Sequence, residues 1–112
     1  MPTSTANAVW EGGLKKGNGK FTAQSGAFQG NYSFGTRFEG EKGTNPEELI
    51  AAAHAACLSM ALAAGLEQAG TPATRIATTA KCTVEKVPFE NLVYQVPVEG
   101  LNITKSALPS PS

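Results

Sequence analysis

Gly43-Thr44-Asn45-Pro46-Glu47-Glu48-Leu49-Ile50-Ala51-Ala52-Ala53-His54-Ala55-Ala56-Cys57 decides how the rest of this chain is read. It opens as a helix start. Thr44 or Asn45 offers a side-chain oxygen as N-cap. Pro46 loses nothing at the first helical position, where the N–H has no intrahelical partner. Glu47 and Glu48 fall in the first turn, where the helix dipole favours negative charge. Helix propensity stays high through Leu66, with Gly65 the one weak residue, and Gly70 then Pro72 supply a stop. The spacing predicts a helix of about 24 residues, about 36 Å at 1.5 Å per residue. That is long for a chain of 112 residues, and it carries a thiol about three turns in.

Before this helix the chain reads as short strands joined by glycine turns. Asn7 to Glu11, Phe21 to Ala23, Ala27 to Phe34 and Thr36 to Glu39 are the strand candidates. Lys15 to Lys20 reads as a hairpin turn with Asn18-Gly19 as its signal. Its lysines and glycines lack the spacing of a phosphate-binding loop. After the helix, Thr74 to Val87 alternates, with Ile76, Ala80, Cys82 and Val84 on one side, and predicts a half-buried strand. Leu92 to Val98 alternates as well, with Pro97 placing it at an edge or ending it. A last short strand is expected over Leu101 to Lys105. These elements predict an α+β fold, a single domain over residues 1–107 and a disordered tail over 108–112.

Composition narrows the function. Nine basic and nine acidic residues balance, which argues against nucleic acid or an anionic membrane surface as the partner. Leu49 to Leu66 is an uncharged run of about 18 residues, just the length of a membrane span. Alanine dominates it, and His54 and Ser59 interrupt it, so it reads as a buried helix of a soluble protein. Met1 to Val9 has neither basic residue nor apolar core, so no signal peptide is read. Two cysteines in such a chain suggest a reducing, cytoplasmic setting and free or catalytic thiols. A lone domain of this size buries a modest share of its surface, and a second copy would add to it.

Several residues are candidates for chemistry. Cys57 is either a small core residue, as free cysteines often are, or a nucleophile. It lies too far from the helix N-terminus to be activated by it, so a cationic neighbour would have to lower its pKa. His54, three residues earlier on the same side, is either a packed imidazole or a base or proton donor. Glu47 is about 15 Å along the axis from Cys57 and about 80° off its face. A carboxylate acting on this thiol would most simply come from a second chain, through a two-fold axis near Ala52 where alanines permit close approach. Arg37 is either a surface charge at a strand end or a guanidinium that stabilises a thiolate and binds a peroxide oxygen. Cys82 reads first as core packing. As a resolving thiol its Cα would need to lie within about 7 Å of that of Cys57. One histidine and two cysteines give no metal-ligand spacing, and no cofactor is expected.

Thr36-Arg37-Phe38-Glu39-Gly40-Glu41-Lys42-Gly43-Thr44-Asn45-Pro46-Glu47-Glu48-Leu49-Ile50, with Ala52-Ala53-His54-Ala55-Ala56-Cys57 and Ser59-Met60-Ala61-Leu62, resembles the osmotically inducible protein C (OsmC) family. Trp10-Glu11-Gly12 and the lysine–glycine hairpin also match. The family comprises thiol peroxidases and the related organic hydroperoxide resistance (Ohr) proteins. The resemblance implies an intertwined homodimer, with antiparallel β-sheet packed around long central helices and active sites at the subunit interface. It implies Cys57 as peroxidatic cysteine, Glu47 as active-site carboxylate and Arg37 as active-site arginine. The implied function is thiol-dependent reduction of organic hydroperoxides, and less well of hydrogen peroxide, in oxidative or osmotic stress defence. An external dithiol would reset the thiol. The family's second cysteine lies in a Gly-Cys-Pro-like motif on a later helix, which these residues do not contain. Residues 88–99 look inserted, and the chain stops short of a usual member. The alternative expectations are therefore a single-turnover sensor or binding module of the same fold, or an inactive fragment. Cys82 is the resolving candidate that remains.

Overall fold

The computed structural model describes residues 2–85, 93–95 and 97–105. The chain falls into two compact units, Met1–Pro46 and Glu47–Ser112.

The first unit is an antiparallel meander of β1 (Ala6–Glu11), β2 (Asn18–Ala23) and β3 (Gln29–Tyr32), followed by a short helix α1 (Phe34–Phe38). Cross-strand packing sets its register. Trp10 pairs with Gly19 and Gly19 with Tyr32. The Trp10 and Tyr32 rings then meet at 5.5 Å over the glycine. A Cβ on Gly19 would come within 2.6 Å of the Tyr32 ring. Phe21 stands over Gly30 in the same way, 2.8 Å from where a Cβ would be. Aromatic rings and glycines thus alternate across the strands, and each ring fills the space its neighbour leaves empty. Ala23 is the buried apolar side chain of this unit.

Two expectations about this unit are corrected. The Glu11–Asn18 pairing puts Asn18-Gly19 inside β2, so this dipeptide is not the hairpin tip. Residues 12–17 make the turn, with Gly12 at φ 98° and the Gly17 N–H donating to the Gly13 carbonyl at 2.7 Å. The second correction is at Thr36 to Glu39, which contributes to α1 and its C-cap rather than to a strand. Ser33 caps it. Its hydroxyl accepts from the Thr36 N–H at 3.2 Å, while Thr36 Oγ1 accepts from the Ser33 N–H at 2.8 Å. This reciprocal pairing satisfies two donors at once and outweighs the strand-like alternation of Thr36 and Phe38. Gly35 is buried, and a Cβ there would strike the Glu41 carboxylate, which lies over this turn. The Asn45 side-chain amide donates to the Thr36 carbonyl at 3.0 Å and so ties α1 to the segment that follows it. The Ala27 to Phe34 expectation shortens to β3.

Helix α2 (Pro46–Gln68) is 23 residues long, and from Glu47 onward it belongs to the second unit. Its C-terminal end forms as the sequence predicts. Gly70 has φ 79°, the Gly70 N–H donates to the Glu67 carbonyl at 3.0 Å, and the Thr71 N–H to the Leu66 carbonyl at 2.9 Å. That pair of bonds is a Schellman cap. Strand β4 (Ala73–Ala80) then pairs antiparallel with β7 (Val98–Lys105), with Ile76 opposite Ile103 and Thr78 opposite Leu101. Between them β5 (Thr83–Glu85) pairs with β6 (Val93–Gln95). The single strand expected over Thr74 to Val87 is therefore broken at Lys81-Cys82. There the Lys81 N–H donates to the Pro97 carbonyl at 3.0 Å. Cys82 sits in the break, not on a strand face. The last strand starts at Val98, earlier than expected, because Pro97 ends the preceding run. Val87 and the expected tail over 108–112 lie outside the described residues.

α2 was expected to be buried, but only one stripe of it is partly covered in this chain. Ala51, Ala55, Leu58, Ser59, Leu62 and Leu66 form a half-buried stripe, and Ser59 Oγ meets Thr78 Oγ1 of β4 at 2.7 Å. Ala52, Ala53, His54, Ala56, Cys57, Met60, Ala61, Ala63 and Ala64 are exposed. By length and composition alone this helix is apolar enough to cross a membrane. Its outer face has no cover among the described residues of this chain.

Candidate active site

Cys57 projects from the outer face of α2 and is exposed. The core-packing reading of this thiol does not hold in the chain as it stands. His54, one turn before it, is exposed on the same side, and so is Met60, one turn after. The small residues around them, Ala53, Ala56 and Ala61, leave the thiol open to approach. Met60 was not assigned a role from the sequence. Its signal there is its offset from Cys57, which equals that of His54 on the other side.

Glu47 lies in the first turn of the same helix, and its side chain is 7% exposed. It is a buried carboxylate at the start of a helix whose outer face is exposed. Because α2 runs unbroken from Pro46 to Gln68, Glu47 stays about 15 Å along the axis from Cys57. The two do not meet within one chain. Glu47 acts instead on Cys82. Partial burial raises the Cys82 thiol above its ordinary pKa, and the negative charge of Glu47 adds to that. Both effects disfavour the thiolate. The thiolate is the nucleophilic form, so both effects act against reactivity at Cys82.

Arg37 belongs to the other unit. It occupies the last turn of α1, with its guanidinium carbon 5.3 Å from the Phe38 ring centroid. The guanidinium thus lies within cation–π range of the neighbouring ring, and the residue sits on a helical turn rather than at a strand end. No group of three or more His, Cys, Asp or Glu side chains able to hold a metal ion occurs among the described residues.

Antiparallel strands with a long helix that carries an exposed cysteine define an α+β fold. A family model described as OsmC-like protein matches residues 39–108, and the chain belongs to that family. It is 52% identical over 104 residues to Peroxiredoxin OsmC of Escherichia coli (strain K12), covering 92% of this chain and 66% of that protein. The figures for Peroxiredoxin OsmC of Shigella flexneri are the same. The chain therefore spans about two thirds of the length of these curated relatives. Among solved structures it is similar to the organic hydroperoxide resistance protein OhrB of Bacillus subtilis, with a TM-score of 0.60 and 24% identity. That match covers 93% of this chain and 73% of the other, and at this identity it speaks to the fold.

Proposed function

We propose that this chain is a thiol peroxidase that reduces organic hydroperoxides at Cys57. The observation that carries the reading is an exposed cysteine on the open face of α2, in a chain whose curated relatives are named peroxiredoxins. The Cys57 thiolate attacks the nearer peroxide oxygen. The S–O bond forms as the O–O bond breaks, and the departing alkoxide takes a proton and leaves as alcohol. The sulfur is oxidised to sulfenic acid and the peroxide is reduced. An external dithiol then condenses with the sulfenic acid, releasing water, and its second thiol displaces Cys57 as thiolate.

Arg37 is the guanidinium assigned to stabilise the thiolate and the leaving oxygen, and Glu47 the carboxylate that orients it. The separation of Glu47 from Cys57 along α2 supports a homodimer in which each site draws on both copies. The bare alanine face around Ala52 supports close helix–helix contact in that dimer. The cytoplasm, with its reducing thiols, is the setting that suits this cycle. A second reading, a sensor oxidised once per molecule, draws on Cys82. A thiol whose thiolate is disfavoured is a weaker resolving group, and without an external dithiol a sulfenic Cys57 that nothing resolves stays oxidised.

The test is consumption of an organic hydroperoxide with excess dithiol by the wild type, Cys57→Ser and Cys82→Ser. Turnover lost in Cys57→Ser and kept in Cys82→Ser supports the peroxidase. Turnover that survives Cys57→Ser removes it. One stoichiometric oxidation without turnover supports the sensor.

A further inference from the structure

We propose that Asn45 is a positioning residue for Arg37: its side-chain amide holds the peptide that leads into the arginine and so sets the direction of the guanidinium. This rests on the reading of Arg37 as the guanidinium that serves Cys57.

The peptide unit joining Thr36 to Arg37 is held at both ends. Its N–H, that of Arg37, donates to the Ser33 carbonyl at 3.1 Å. Its carbonyl, that of Thr36, accepts from the Asn45 side-chain amide at 3.0 Å. The first bond belongs to α1. The second reaches in from nine residues further along and is partly buried. Carbonyls in the last turn of a helix lack a partner within the helix, so Asn45 supplies a bond that α1 cannot make for itself. Five residues are also too few to hold a helix in water without outside support. Arg37 lies in the last turn of α1, so its direction depends on what closes onto that turn.

The segment that returns to α1 is shaped for this closure. The Glu41 N–H donates to the Gly35 carbonyl at 3.2 Å. Gly43 has φ 136°, and a Cβ there would lie 3.1 Å from the Thr36 methyl, so the bare glycine lets the chain pass close to Thr36. Asn45 precedes Pro46, which biases its backbone to extended conformations and limits where its amide can point. The Thr36 carbonyl is an acceptor, and the amide NH₂ is the part of this side chain that can donate to it. A charged group that must meet a reacting atom loses most of its effect when displaced by about 1 Å.

The experiment compares the parent with Asn45→Asp and Asn45→Ser, each with and without Arg37→Ala, all in a Cys82→Ser background. Aspartate and serine keep an oxygen able to cap α2 but lose the donor that reaches Thr36. Serine carries no charge, so it tests the lost donor even if the aspartate variant fails to fold. The readouts, at a single pH, are the thiolate fraction of Cys57 by ultraviolet absorbance and its second-order rate of oxidation by cumene hydroperoxide. The expected result is a smaller thiolate fraction and a rate lower by about tenfold to a hundredfold, with no further loss from either substitution once Arg37 is alanine. Parent values in the Asn45 variants overturn the proposal. So does the same loss in the Arg37→Ala background, which marks a role in folding alone. If Arg37→Ala by itself changes neither readout, the arginine reading falls and takes the proposal with it. A parent thiol that does not react removes the peroxidase reading itself, before any Asn45 variant is compared.

Discussion

At the scale of single residues, the two cysteines are set apart by their surroundings. Cys57 is exposed, whereas Cys82 is partly buried and faces the charge of Glu47. Iodoacetamide at mildly alkaline pH should label Cys57 first, read by peptide mass spectrometry. Glu47→Gln should speed the labelling of Cys82, because it removes the charge that opposes the thiolate. The stability effect has a definite sign. A thiol whose pKa is raised on folding contributes stability below the unfolded-state value, and loses it as pH climbs through the raised one. Above the ordinary thiol value of 9.0, the wild type should therefore lose denaturation midpoint faster than Cys82→Ala. Equal pH profiles for the two proteins would count against the burial and charge assigned to Cys82. The sequence showed both thiols but not this contrast. Exposure and the approach of Glu47 depend on what folds against each cysteine, and no local pattern records that.

Among the elements, the β1–β2–β3 sheet is built on rings set against glycines. Its glycines are where rings from neighbouring strands lie. Gly19→Ala and Gly30→Ala should each destabilise the protein by about 1–3 kcal/mol, as overpacking does, measured by denaturant unfolding. Gly26→Ala makes a poor control, because Gly26 has φ 79° and a side chain there is strained for another reason. Gly13→Ala is the better one, since its Cβ would meet nothing within 4 Å. The strands were legible from alternation and β-propensity, but the role of Asn18-Gly19 was not. An Asn-Gly pair signals a tight turn only if the chain reverses there. In this sheet the cross-strand rings require a glycine inside the strand. The helix α1 escaped for a related reason. Five residues are too few to show a 3.6-residue period, and the Ser33–Thr36 cap is what makes the segment helical.

For the molecule as a whole, the dominant fact is a long apolar helix with one face uncovered. A face of this kind costs free energy in water at roughly 25 cal/mol per Å² of apolar surface, so a covering partner is favoured. With the proposed two-fold axis near Ala52, sedimentation equilibrium should give a dimer for the wild type. Ala52→Glu should shift it toward monomer while helix content by circular dichroism is kept. A wild type that sediments as a monomer at high protein concentration would remove the shared-site arrangement of Glu47 and Cys57.

The sequence by itself determined α2. Its stop at Gly70 is set by groups within a few residues of that end, because a helix C-cap is a local hydrogen-bonding problem with a local solution. It also marked the stretch around Cys57 as the candidate site. Only the tertiary structure decided that Cys82 falls in a break between strands beside a buried carboxylate, and that the face of α2 carrying Cys57 is left open. Each of those depends on contacts between residues distant in the chain, and burial, unlike capping, is a property of what the rest of the fold brings near.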